Sequence, residues 1–210
     1  MKKIIDHGVQ KIINNMKKLF AIIVLSLCVI TSSNAGDLKD FEVSGISIYS
    51  SLLDYFNKDE IKKNSFYPEG ANLENSKFKS FDFESENDDT PYSLIHIVYE
   101  KKNYKIHSVS GRKNYEINIA ECYKKMDQIS DSIVKLTKLK KSKKIKTKFR
   151  GDKSGKSLKS TIIFTDKNEN LINIICYDFD KSMPWEDTLS VAVASREFVN
   201  WNTEKGYKKK

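Results

Sequence analysis

The stretch KIKTKFR places a basic side chain at every second position and is the first candidate for chemistry. Its basic residues are Lys144, Lys146, Lys148 and Arg150. Because side chains of a β-strand alternate between two faces, the pattern predicts a strand with one cationic face. Ammonium and guanidinium groups bind phosphates and carboxylates, so this face is a candidate site for phosphorylated glycolipid headgroups, anionic lipid or polyanions. The alternative is a solvated lysine face, because the abundance of Lys, Asn and Ile is also what AT-biased coding produces.

Two histidines, His96 and His107, are the second candidate. They lie in two alternating runs, Ser93 to Glu100 and Asn103 to Ser110, which together predict a hairpin. A turn of two residues at 101–102, or of four at 100–103, sets His96 opposite His107, with Cβ atoms about 5 Å apart, close enough to share a metal. Two imidazoles are one or two ligands short of a zinc site. The alternative is a pair of solvent-side histidines on a half-buried sheet, and no cofactor is predicted.

Three cysteines occur, Cys28, Cys122 and Cys176. Cys28 lies in an apolar leader, described below, that we expect to be removed. Cys122 and Cys176 then remain in an exported chain, where the oxidising compartment favours a disulfide between them. Such a bridge is worth on the order of 4 kcal/mol in the chain-entropy model. The alternative is two buried free thiols.

Two loops resemble ligand-binding motifs without completing them. GDKSGKS at 151–157 has three residues between its glycines, whereas a P-loop has four, and a β-branched run follows it in place of a helix. DKNEN at 166–170 begins like a calcium loop, but Leu171 and Tyr177 stand where that loop needs Gly and Glu. We expect both segments to be turns between strands.

Catalytic signatures such as GxSxG and HExxH do not occur after the leader. Three histidines in all leave few ordinary general bases, although paired carboxylates can lie far apart in a chain. Whether the protein is an enzyme stays open, and the sequence favours a non-enzymatic protein. The remaining functions are a binding or envelope-associated module with a basic face, an exported enzyme or metal-binding protein using His96 and His107, and a purely structural or partner-binding protein.

The elements that position these residues follow an α+β pattern. An amphipathic helix is predicted over 118–139, with a capping box formed by Asn118 and Glu121. Antiparallel sheet segments, a meander over 93–117 and strands over 144–194, are expected to pack on this helix. A helical element precedes them and a short helix ends the chain. Residues 36–210 are predicted to form one globular domain, with an acidic loop at 65–91 that leaves room for a short strand around 77–83.

Residues 16–35, MKKLFAIIVLSLCVITSSNA, have the layout of a secretory signal peptide. Two lysines precede twelve apolar residues, and small residues occupy the cleavage positions. The apolar run spans about 18 Å as a helix, short of the roughly 30 Å hydrocarbon core of a bilayer. We therefore predict cleavage near Ala35, a periplasmic or secreted protein, and no transmembrane segment in the mature chain. Residues 1–15 precede a complete leader, so either Met1 or Met16 is the start.

Removal of the leader reduces the basic excess. The whole chain has 37 Lys and Arg against 28 Asp and Glu, and the first 35 residues hold five Lys and one Asp. The mature chain therefore keeps 32 basic and 27 acidic residues, a net charge of +5. The predicted partners are anionic envelope components or another protein, with no specific nucleic acid. The oligomeric state stays open.

The segments GISI, SLLDYF and DEIKK between residues 45 and 63 resemble the opening of small exported proteins of unknown function from marine α-proteobacteria. The similarity extends more loosely to ECYKK, DKSGKS and ICYD further along the chain. This resemblance implies export and brings no activity, cofactor or ligand with it.

Overall fold

An eight-stranded antiparallel sheet organises the computed structural model, which describes residues 36–67, 76–84, 91–116 and 118–206. The sheet order is β3-β4-β5-β6-β10-β9-β8-β7. Its strands are β3 (Ser65–Phe66), β4 (Phe78–Glu84), β5 (Leu94–Glu100), β6 (Ile106–Asn114), β7 (Ile145–Lys148), β8 (Leu158–Thr165), β9 (Leu171–Asp178) and β10 (Thr188–Ala194). Ahead of them, β1 (Glu42–Val43) and β2 (Ile46–Ser47) form a separate small hairpin. The predicted leader lies outside the described residues.

Three α-helices accompany the strands in the described part of the chain. They are α1 (Lys58–Asn64), α2 (Ile119–Thr137) and α3 (Arg196–Trp201), the last followed by a π-helical turn at Asn202–Gly206. The Asn118 side chain caps α2 by accepting a hydrogen bond from Glu121 N–H, and Ser195 caps α3 in the same way from Phe198 N–H. The predicted α+β class with an antiparallel sheet is therefore confirmed.

The two predicted sheet segments are joined in one sheet. Strand β10 pairs with β6 on one side and with β9 on the other, so the last strand of the chain lies at the centre. Sequence patterns give the strands but not this pairing, because it links residues about 80 positions apart.

Helix α2 covers one face of the sheet, called the helix face here and defined by Ile162, Ile174 and Val191. These three are cross-strand neighbours, since Ile174 pairs with both of the others. Cys122 and Met126 of α2 are fully buried in the same cluster. The sulfur atoms of Cys122 and Cys176 lie 2.05 Å apart, at disulfide-bond distance, so the bridge predicted from the sequence joins α2 to β9. Within the described chain, no helix is long and apolar enough to span a bilayer.

The register predicted for the β5–β6 hairpin is wrong. Tyr99 pairs with Ile106 and not with Tyr104, whose φ of 60° places it in the turn. An irregularity between Val98 and Tyr99 then shifts the pairing by one more residue, so Val98 pairs with Ser108. The predicted apolar residues of this hairpin are nevertheless buried on the helix face: Ile95, Ile97, Tyr99 and Ile106.

Within the meander predicted over 93–117, the chain does not turn at Gly111. Strand β6 runs through it to Asn114, and Ile117 lies outside the described residues. A Cβ at Gly111 would lie 2.4 Å from the Tyr92 ring, so glycine is needed here for close packing.

The region predicted as an acidic loop at 65–91 contains two strands, β3 and β4, while residues 68–75 and 85–90 lie outside the described part. Phe78 and Phe81 of β4 are fully buried, because successive side chains of this strand pack on opposite faces of the sheet. Asp82 and Glu84 belong to the strand, and the other acidic residues of the predicted cluster fall among the residues not described.

Candidate functional site

The basic stretch forms an edge of the sheet. Among the described strands, β7 pairs only with β8, and all of its residues are exposed. Lys146 lies beside Ser160, which in turn pairs with Cys176, so Lys146 and Lys148 project on the helix face. Ile145 and Thr147 project on the opposite face. The outer backbone groups and both rows of side chains therefore face solvent.

Two lysines next to this strand are held by helix α2. Lys144 Nζ lies 2.9 Å from an Asp127 carboxylate oxygen and 5.7 Å from the centre of the Tyr123 ring. Lys141 Nζ lies 2.8 Å from Asp131, and the hydrogen bond from this lysine lowers the pKa of the Asp131 carboxyl. Lys144 therefore neutralises an acid of the same chain and contributes less free charge than the sequence pattern suggested.

The other predicted cations are unpaired. No described residue forms an ion pair with Lys146, Lys148 or Arg150. We call these three residues the basic edge. Exposed ammonium and guanidinium groups without a carboxylate partner keep their full charge toward an external ligand.

The loop that follows the basic edge is a hairpin connection between β7 and β8, with no helix after it. Its acid, Asp152, is 6% exposed and accepts hydrogen bonds from the backbone N–H groups of Ser154 and Ser157, each at 2.8 Å. Hydrogen bonds from Ser154 and Ser157 hold the pKa of this carboxyl well below its usual range. The Asp152 carboxylate therefore accepts its hydrogen bonds within the loop, and it forms no ion pair with the neighbouring lysines among the described residues.

The carboxylate of Asp166, the first residue of the calcium-like segment, also accepts hydrogen bonds from within the fold. The segment is a turn between β8 and β9. The Asp166 carboxylate, 5% exposed, accepts hydrogen bonds from the backbone N–H groups of Leu38, Asn168 and Asn170. In the described residues no three His, Cys, Asp or Glu side chains are arranged to hold a metal ion.

His96 and His107 are not cross-strand partners. His96 pairs with Ser110 and its Nδ1 forms a hydrogen bond with the Asp82 carboxylate of β4, while His107 occupies the extra position between the two registers of the hairpin. The register that either predicted turn gives is wrong because the turn includes Tyr104 and the strands are irregular beyond it. The predicted opposition of the two imidazoles is therefore incorrect.

His107 belongs to a buried polar group that sequence patterns did not identify. Its Nδ1 lies 2.9 Å from Ser195 Oγ, and its Nε2 lies 3.9 Å from a Glu100 carboxylate oxygen. Burial lowers the pKa of His107, more than the nearby Glu197 raises it. The arrangement has the residue types of a catalytic triad, but both Ser195 and His107 are completely buried, and Ser195 Oγ already caps α3. Its geometry is that of a structural contact between β6 and α3.

An aromatic cluster lies beside the basic edge and was also missed. Phe149, between Lys148 and Arg150 in the chain, has its ring centre 5.8 Å from Tyr177, 5.3 Å from Phe179 and 5.9 Å from Trp185. Phe149 directly follows β7, Tyr177 belongs to β9, and Phe179 and Trp185 lie in the loop after β9, so only the sheet register brings them together. Trp185 also lies on the wall of a groove of about 1080 Å³ between that loop and the start of α2.

Comparison with known proteins finds no matching family model, no similar curated protein and no similar solved structure. The functional argument therefore depends on the residues described above.

Proposed function

We propose that this protein is a non-enzymatic binding module of the bacterial envelope, exported through its leader, and that it holds anionic partners on the basic edge. The observation that carries the proposal is the absence of an ion-pair partner for Lys146, Lys148 and Arg150 among the described residues. Three exposed cations, two on the edge strand β7 and one in the turn directly after it, attract phosphate and carboxylate groups at a distance.

The charge around the edge supports this function. Between Lys138 and Lys159 the chain has eleven basic residues and a single acid, Asp152. Two of the eleven, Lys141 and Lys144, are paired with acids of α2. The Asp152 carboxylate accepts a hydrogen bond within its own loop. The local excess of positive charge is therefore presented to solvent and not cancelled within the fold.

A protective role for the same lysines is the competing explanation. Charged side chains on an edge strand discourage pairing with a second sheet edge, and Lys is common in that role. Anion binding and edge protection make different predictions, because only the first requires a ligand with a salt-dependent affinity.

The test is binding of soluble polyphosphate to the purified protein and to the variant Lys146→Gln/Lys148→Gln/Arg150→Gln. Each cation near an anionic surface is worth about 1 kcal/mol, so the triple variant should bind about 100-fold more weakly, and wild-type affinity should fall as salt rises. The matched control is Lys58→Gln/Lys62→Gln/Lys63→Gln on exposed α1, which removes the same charge elsewhere. Equal affinities for the two triple variants, or salt-independent binding, would contradict the proposal.

A further inference from the structure

The aromatic cluster beside the basic edge carries an inference about the kind of anionic partner. Trp185 is 50% exposed, although its ring packs against Phe149 and Phe179 at 5.9 and 5.3 Å between centres. Ile145 of β7 is 49% exposed on the same side of the sheet as Phe149. Trp185 and Ile145 are the two most exposed large apolar side chains among the described residues.

The exposed tryptophan is held in place by its neighbours. Tyr177 and Phe179 stack with ring planes 4° apart, and Phe149 meets both of them edge-on. At the base of the Trp185 loop, the buried Asp187 carboxylate accepts a hydrogen bond from Phe179 N–H at 3.0 Å. The indole is thus a fixed projection from the sheet.

The acids near Trp185 do not cancel the basic edge. Asp187 is buried, and Asp180 accepts hydrogen bonds from the backbone and side chain of Ser182. Exposed Glu186 is offset by exposed Lys181 on the same loop. Asp180 keeps its negative charge, because the serine hydroxyl and amide donors are neutral. None of the described acids forms an ion pair with Lys148 or Arg150, so both cations remain available to a ligand at this corner of the molecule.

We infer that the partner is the surface of an anionic lipid bilayer, with Trp185 inserted at the headgroup level and the basic edge on the lipid phosphates. This inference rests on the proposed function and names its partner. A soluble polyanion satisfies the cations but leaves the indole and Ile145 in water, whereas the interface of a bilayer accommodates both an amphipathic ring and cations. Attachment of this kind adds apolar burial to electrostatic attraction.

Fluorescence of Trp185 tests the inference directly. The chain has two tryptophans, and the variant Trp201→Phe leaves Trp185 as the only one while keeping an aromatic ring against Phe78 and Phe198. Vesicles of equal parts phosphatidylglycerol and phosphatidylcholine should shift the emission to shorter wavelength and shield the indole from acrylamide. Vesicles of phosphatidylcholine alone should do neither. Equal binding to both vesicle types, or binding without an emission shift, overturns the inference.

Two substitutions at position 185 separate this inference from the proposed function. Trp185→Ser should weaken binding to the anionic vesicles about tenfold through lost apolar burial and leave polyphosphate binding unchanged. Trp185→Phe retains ring packing in the cluster, so its affinity for the anionic vesicles should lie between those of wild type and Trp185→Ser. If Trp185→Ser binds the vesicles as well as wild type while the triple variant of the basic edge loses polyphosphate, the bilayer inference fails and the proposed function stands. If the triple variant binds polyphosphate as tightly as wild type, both the bilayer inference and the proposed function fail.

Discussion

His107 is completely buried and is surrounded by charged and polar groups. Ser195 Oγ accepts a hydrogen bond from Phe198 N–H and shares a second hydrogen bond with His107 Nδ1. The other ring nitrogen, Nε2, lies 3.9 Å from a Glu100 carboxylate oxygen. This Nε2 is buried without a hydrogen-bond partner among the described residues. The charged groups around the ring act in both directions: Glu197 and Glu100 favour the protonated form, and Lys105 and Lys77 disfavour it. Burial is the largest effect and lowers the pKa of His107.

This burial predicts a loss of stability on mild acidification. The unfolded chain takes up the proton near pH 6.5, whereas the folded protein takes it up only at lower pH. The contribution of His107 to the free energy of unfolding is therefore complete above about pH 6.5 and decreases below it, by at most about 1.4 kcal/mol per pH unit. Urea unfolding of wild type and His107→Phe between pH 7.5 and pH 5.5 should show this slope only in wild type.

The matched control for His107 is His96→Gln. His96 is only partly buried and lies beside Asp82. The His96 variant should therefore keep the pH dependence that His107→Phe loses. If both variants show the wild-type slope, burial of His107 is not the cause of the acid sensitivity.

At the level of single residues, the sequence predicts which side chains are cationic but not which remain free. Lys144 and Lys146 occupy equivalent positions in the alternating pattern. Only Lys144 lies within reach of an acid on α2, because the helix crosses the sheet face near the start of β7. The aromatic cluster could not be read from the sequence for the same reason. Phe149 and Trp185 are far apart in the chain and come together only through the pairing of β7, β8 and β9. Such contacts depend on tertiary packing.

Among the elements, helix α2 and strand β9 are tied together by the disulfide. Cys122 and Cys176 are both fully buried and 54 positions apart in the chain. Cross-linking a loop of this length stabilises the folded state by about 4 kcal/mol through the entropy of the unfolded chain. The variant Cys122→Ala/Cys176→Ala should therefore unfold at a lower urea concentration, with its free energy of unfolding reduced by about that amount.

Reduction of the wild-type protein provides the independent check. Added reductant should lower the urea midpoint of wild type toward that of the double-alanine variant and leave the variant unchanged. An equal effect of reductant on both proteins would show that the disulfide is not the source of the stability.

Local signals predicted the helices and most strands, whereas register needed the folded chain. The capping box at Asn118 and Glu121 gives the start of α2 because it depends on neighbouring residues alone. The β5–β6 register depends instead on the Tyr104 turn and on one extra residue near His107. One added residue moves every following side chain to the other face, which is why Ser108 pairs with Val98 on the face opposite to Ile106 and Tyr99.

In the whole molecule, the two sheet edges differ in the strand they present. Among the described strands, one edge is β3, only two residues long, and the other is β7, whose four residues are all exposed. A free edge of this kind pairs readily with another sheet unless its side chains prevent it. When two copies of β7 approach as antiparallel neighbours, Lys146 and Lys148 of each come close to those of the other. Like charges at such positions oppose association.

Replacement of these lysines should therefore promote self-association. Lys146→Val/Lys148→Val removes the repulsion and adds β-branched side chains, so the protein should associate at about tenfold lower concentration than wild type, measured by light scattering. The matched control is Lys113→Val/Lys159→Val, which makes the same changes on β6 and β8, strands that are paired on both sides. Raising the salt should promote association of wild type by screening its lysines while weakening polyphosphate binding, two effects of opposite sign from the same side chains. Equal association of the two double variants would mean that the lysines of β7 do not protect the edge and that its free backbone is blocked in another way.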